Sequence, residues 1–196
     1  MSKKDWIPVE IDKKKDPEGL GIAYVRDTDV GDKECYVGGI KEINKKILFH
    51  GKGILAVYEA NPDHMKEIHE KIDPWSRHLL KYQKNFILPE IEGYYLGRKF
   101  KGGWKDGLLE GLGEYIEYHQ PEFFVNKDGS PMISEKYIGL FKKGKKEGIF
   151  KNFFGNDGVD DPDVFYEEYK NDEFVKKVED LKIIPENLKK IKWVNE

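Results

Sequence analysis

The stretch "FKGGWKDGLLEGLGEY", residues 100–115, sets aromatic and bulky side chains among five glycines. Glycine costs a strand backbone entropy and packs no side chain, so glycines at regular offsets need a reason. Phe100, Gly102 and Trp104 share one face at the two-residue period of a strand. Lys101, Gly103 and Lys105 share the other. "KDG" at 105–107 signals a hairpin turn, with Gly107 supplying a positive φ. The return strand runs over 111–118, with Gly111, Gly113 and Tyr115 on one face.

The same spacing recurs. In "YIGLFKKGKKEGIFKN" (137–152), Tyr137, Gly139, Phe141, Gly144 and Gly148 fall on Phe100, Gly102, Trp104, Gly107 and Gly111. Phe150 stands where Gly113 would. A third copy opens with "YVGGI" (36–40), carrying Tyr36 and Gly38, and closes with "GKGILAVY" (51–58), carrying Gly51 and Gly53. Its spacing predicts a turn region about four residues longer. "EGLGIAY" (18–24) is a closing half alone. "FYEEYKND" (165–172) keeps Phe165 and Tyr169 but has Glu167 and Asp172 at glycine positions, as terminal repeats do.

This pattern of aromatic residues and glycines resembles the MORN repeat (membrane occupation and recognition nexus). Residues 100–115 match every fixed position, and 137–150 match all but the last glycine. The resemblance implies a mainly β fold, an elongated single-layer antiparallel sheet of stacked hairpins. It implies one domain over 1–196, with repeat units at about 18–58, 93–118, 137–154 and 165–175. In a single layer, rings from one hairpin must lie over the backbone of the next, and the glycines are expected to leave that space.

Two inserts interrupt the repeats. Asn61-Pro62 and Asp73-Pro74 are helix-start signals, so 61–90 is expected to hold a helical insert, with helix near 61–85. Residues 119–136 are expected to form a loop insert around "NKDGSP". In the tail, 176–196, Pro185 at the first helical position is expected to start a short helix carrying Leu188, Ile191 and Trp193.

Composition narrows the function classes. Only 38% of residues are hydrophobic while 36% are charged, so any core must lean on the 13% that are aromatic. A net charge of −3 with mixed signs disfavours a nucleic-acid binder. Cys35 is the single cysteine, which points to a reducing compartment. The N-terminal residues lack an apolar h-region and carry five acids before Arg26, unlike a secretory or mitochondrial leader.

No catalytic set is legible. His64 and His69 are spaced i, i+5, which splays them on a helix, and a solvated helix face is the expected reading. "NDGVDDPD" (156–163) lacks the alternating acids of a calcium loop and reads as a solvated connection. No cofactor, metal or small-molecule substrate is expected. "KKGKK" places Lys142, Lys143, Lys145 and Lys146 at one hairpin tip, a candidate contact for acidic phospholipid.

The expectation is a non-catalytic scaffold subunit that contacts other proteins of a larger complex. Family analogy suggests a ciliary axoneme or radial spoke, in the cytoplasm or cytoskeleton, or alternatively an accessory subunit of a mitochondrial complex. The runner-up is a peripheral membrane module.

Overall fold

The computed structural model describes residues 6–10, 22–28, 31–60, 94–119, 132–155 and 162–192. Among them the strands are β1 (Ile7–Glu10), β2 (Ile22–Asp27), β3 (Lys33–Ile43), β4 (Lys46–Ala60), β5 (Tyr94–Lys105) and β6 (Leu108–Tyr118). They continue with β7 (Ile133–Lys142), β8 (Lys145–Lys146), β9 (Gly148–Phe154), β10 (Asp163–Lys170) and β11 (Glu173–Lys177). One helix, α1 (Glu186–Lys189), follows.

The strands form one antiparallel, unclosed sheet in chain order, with β8 pairing β7 off the main path. This is the mainly β, hairpin-built fold that the glycine pattern predicts. The expected insert at 61–90 lies outside the described residues. Part of the expected loop insert, Ile133 to Lys136, instead belongs to β7.

Four turns have one form. Asn44–Lys45, Asp106–Gly107, Lys143–Gly144 and Asn171–Asp172 are two-residue turns with φ positive at both positions. Such turns match the right-handed twist of the flanking strands. The turn at Asn44–Lys45 is therefore not longer than the others. The extra residues between Ile40 and Gly51 extend the two arms, because pairing them in a ladder satisfies backbone groups that a loop would leave to water.

Beyond the Lys143–Gly144 turn the return arm carries a bulge. Phe141 pairs with Lys146, but Ile138 pairs with Lys151. Three steps on one arm thus face five on the other, and the two extra residues fall at Gly148 and Ile149. Gly148 has φ +85°, Gly111 has φ +85° and Gly51 has φ +81°, with nothing within 4 Å of an added Cβ. These three glycines serve backbone conformation, which corrects the expectation that Gly111 makes room for a ring. The glycines that do make room are Gly113, under Phe141, and Gly139, under Phe150.

One residue of each of three return arms bonds the next turn. Gly107 N–H donates to Phe49 O at 2.9 Å, Gly144 N–H to Leu109 O at 2.8 Å, and Asp172 N–H to Lys146 O at 3.1 Å. The following residue adds a side chain. Glu110 accepts from Lys143 N–H at 2.8 Å, and Glu147 accepts from Asn171 N–H at 3.0 Å. In the first hairpin, His50 takes that place and approaches Asp106 at 3.7 Å.

Residue contacts divide the chain into two compact units. One comprises Met1–Gly38, Ile54–Lys99 and Tyr118–Met132, and the other Gly39–Gly53, Phe100–Glu117 and Ile133–Glu196. In the first, Ala23, Cys35, Tyr36, Val37, Ala56, Tyr58 and Leu96 are buried. Glu59 there accepts from Tyr95 OH at 2.9 Å and pairs with Arg98 at 3.2 Å. An added Cβ on Gly97 would come within 2.6 Å of the Glu59 carboxyl group, which would have to shift.

In the second unit, Trp104 Nε1 donates to Gly53 O at 3.1 Å while Phe49 meets the indole edge-on at 5.4 Å. The end of this unit has a second layer. Val178, Ile184 and Leu188 of the tail pack on Ile138 and Phe153. Lys151 Nζ donates to Ile191 O at 2.6 Å and to Lys189 O at 3.3 Å, satisfying carbonyls that the end of α1 leaves open. The expected C-terminal tail with its short helix thus covers one end of the sheet. Pro185 stands at the N-cap, one position before the place expected, Leu188 is buried, and Trp193 lies outside the described residues.

Candidate functional site

One face of β7 to β10 collects the most chemistry among the described residues. Alternation puts Glu135, Tyr137, Gly139 and Phe141 of β7 on this face, with Phe150 and Asn152 of β9 and Phe165, Glu167 and Tyr169 of β10. Its rings touch in sequence. Phe100 meets Tyr115 at 4.9 Å, and Tyr115 meets Tyr137 at 5.6 Å. Phe150 meets Phe141 at 5.2 Å and Tyr169 at 5.5 Å, both edge-on.

Lys146 lies among these rings. Its ammonium stands 3.7 Å from the Tyr137 ring centre, 4.5 Å from Tyr169 and 5.8 Å from Phe150. A cation over a ring face is held by the ring quadrupole. Burial pulls the Lys146 pKa below the ordinary lysine value, although Asp172, Glu167 and Glu135 act in the opposite direction. The matching positions before Gly51 and Gly111 hold Phe49 and Leu109, both buried and apolar. Lys146 is a charged residue in an apolar residue's place.

Each tyrosine of the row is tied to a carboxylate two residues away on its own strand. Tyr115 OH donates to Glu117 at 2.7 Å, Tyr137 OH to Glu135, and Tyr169 OH to Glu167 at 2.6 Å. Glu167 also accepts from Asn152 Nδ2 at 2.7 Å. Burial, and then these carboxylates, push the Tyr137 and Tyr169 hydroxyls upward in pKa. The cluster holds a cation and keeps its phenols protonated. Its cation is the protein's own Lys146, so the arrangement braces β7, β8 and β10.

The tip lysines are therefore not equivalent. Lys142, Lys143 and Lys145 are exposed, while Lys146 is drawn onto the sheet face. The framework residues Gly53, Phe100, Trp104, Gly113, Tyr115, Tyr137, Gly139 and Phe141 meet in the ring and backbone contacts above, whereas Tyr36 is buried in the other unit.

His64 and His69 lie outside the described residues. Of "NDGVDDPD", Pro162 and Asp163 are described, and Asp163 begins β10. Among the described residues no three His, Cys, Asp or Glu are grouped to hold a metal, and no helix is long and apolar enough to cross a membrane.

Sequence reasoning missed the roles of Glu110, Glu147, Lys151, Glu135 and Glu167. Two signals carry the glutamates: one just before a positive-φ glycine, and one two residues from tyrosine within a strand; none marks Lys151. Compared with known proteins, the chain matches no family model, no curated protein and no solved structure.

Proposed function

We propose that this protein is a non-catalytic scaffold subunit that joins other proteins in a larger assembly. The supporting observation is a pair of exposed leucines on the sheet. Gly113 and Phe141 touch on one face, so their neighbours Leu112 and Leu140 project from the opposite face, 48% and 55% exposed. The charged groups on the aromatic face are meanwhile engaged internally, Lys146 by rings and Glu135 and Glu167 by tyrosines. What this part of the second unit offers outward is apolar surface, which favours protein contact. The MORN resemblance adds the expectation of an axonemal, radial-spoke or mitochondrial complex.

The test is affinity purification of a tagged copy followed by mass spectrometry, beside Leu112→Glu/Leu140→Glu. A discrete partner set, lost in the variant while its circular dichroism stays native, supports the reading. A partner set that the variant leaves intact, or none at all, sinks it.

Exposed Lys142, Lys143 and Lys145 keep one other reading in play, a peripheral contact with acidic phospholipid. Salt-sensitive co-sedimentation with acidic vesicles, lost in Lys142→Ala/Lys143→Ala, would favour it over the scaffold.

A further inference from the structure

Lys146 and the cluster around it are chemically mismatched. The ammonium lies over the Tyr137 and Tyr169 rings, at 3.7 Å and 4.5 Å from their centres. Among the described residues it meets no hydrogen-bond acceptor, only rings. A primary ammonium is strongly hydrated, and ring faces replace that water poorly. Burial accordingly works against its charge, although Glu135, Glu167 and Asp172 work for it.

The acceptors of the cluster meanwhile lack donors. Tyr137 OH bonds Oε2 of Glu135, and Tyr169 OH and Asn152 Nδ2 both bond Oε2 of Glu167. Oε1 of each glutamate carries no bond among the described residues. Asn152 is 1% exposed, and its Oδ1 is buried without a donor. The amide cannot be turned over to cure this, because Glu167 only accepts and needs the amide nitrogen. Buried acceptors are ordinarily paired, so a lone one beside two carboxylates points to a donor from outside.

A guanidinium answers both halves of the mismatch. It is more weakly hydrated than an ammonium, it stacks on ring faces, and its planar fork of N–H donors suits carboxylates. A methylated ammonium would share the ring contacts but leave the acceptors unserved.

We propose that the Tyr137–Tyr169 face, with Glu135, Glu167 and Asn152, binds an arginine side chain of a partner protein, and that Lys146 is a displaceable occupant. The two tyrosines, both glutamates and Lys146 are half-buried, so the cluster reaches solvent. Lys146 belongs to the two-residue strand β8 beside the Lys143–Gly144 turn, where its side chain has water to swing into. This face is opposite Leu112 and Leu140. The proposal rests on the scaffold reading only for the source of the arginine.

The test titrates the full chain with N-acetyl-arginine amide, followed by two-dimensional amide NMR. Signals of Tyr137, Lys146 and Tyr169 are expected to shift. Lys146→Ala removes the competing cation and is expected to bind on the order of tenfold more tightly than wild type. Lys146→Met, which keeps the volume of the side chain, is expected to move affinity in the same direction. Lys146→Ala/Glu135→Gln/Glu167→Gln keeps an acceptor for each tyrosine but removes both charges, and it is expected to lose the binding. N-acetyl-lysine amide is expected to bind Lys146→Ala more weakly than the arginine probe. Circular dichroism confirms that each variant is folded.

Folded Lys146→Ala and Lys146→Met that show no shifts overturn the proposal. So does affinity equal to wild type in both, binding that survives the two glutamines, or a lysine probe bound as tightly. Loss or survival of partner capture in Leu112→Glu/Leu140→Glu concerns the other face, so the two readings fail separately.

Discussion

The ring of Phe150 lies over Gly139, with three ring carbons no farther than 2.7 Å from where a Cβ on that glycine would stand. This is a steric requirement for glycine, separate from any need for positive φ. Gly139→Ala is therefore expected to cost about 1–3 kcal/mol by overpacking. Phe150→Leu in the same background should recover part of the loss, because the smaller side chain can retreat. Chemical denaturation of wild type and the two variants checks this, and a neutral Gly139→Ala would refute the packing.

Gly111 is the opposite case. Its φ is +85° and an added Cβ would meet nothing within 4 Å. Gly111→Ala should cost about 1–2 kcal/mol through backbone strain alone. Gly111→Asn should cost less than alanine, since asparagine tolerates the left-handed region better. Equal losses for the two would show that the bulge conformation is not the cause.

Glu110 and Glu147 each hold a backbone N–H of the following turn. Removing either carboxylate, by Glu110→Ala or Glu147→Ala, should cost about 0.5–1.5 kcal/mol. Amide hydrogen exchange should rise at Lys143 in the first variant and at Asn171 in the second, each without the other. Exchange unchanged at these amides would mean that the latches form only weakly in solution.

Lys146 tests how a cation fares in an apolar position. Burial is the leading cause of its lowered pKa, so the site as a whole disfavours the charge. Lys146→Met should be neutral or stabilising by up to about 1 kcal/mol. Lys146→Glu, set near Glu135, Glu167 and Asp172, should be destabilising by about 2 kcal/mol or more. A methionine variant melting well below wild type would show that the ring contacts outweigh desolvation.

Cys35 is fully buried, and burial pushes its thiol from 9.0 up to about 12. The folded state thus favours the neutral thiol more than the unfolded state does. Its contribution to stability is whole below about pH 9 and declines as pH rises toward about 12. Wild type should lose more stability than Cys35→Ala between about pH 8 and pH 10.5, measured by urea titration. Buried Tyr36 and half-buried Tyr137 and Tyr169, whose pKa values are also raised, act in the same alkaline direction in both proteins. Near neutral pH the native thiol should resist a disulfide reagent and react only on unfolding.

The hairpins were legible because their causes are local. Asp106-Gly107 declares a turn, and the two-residue alternation of Phe100, Gly102 and Trp104 declares a face. The degenerate unit at 165–172 was found by spacing alone, and it does form the last hairpin. The short helix after Pro185 was also readable, since proline has no N–H to lose at a helix start. The extra residues between Ile40 and Gly51 were misplaced into the turn, because spacing counts residues but does not say whether they pair.

Sequence by itself determined that this chain makes glycine- and aromatic-patterned hairpins, for turn chemistry and strand alternation act over a few residues. Only the tertiary structure decided which glycines serve a bulge and which lie under a ring. It decided too that Lys146 leaves the hairpin tip for the rings of Tyr137 and Tyr169, and that Lys151 clasps the tail. Those outcomes depend on side chains from strands far apart in sequence competing for one space, and no local pattern encodes the winner.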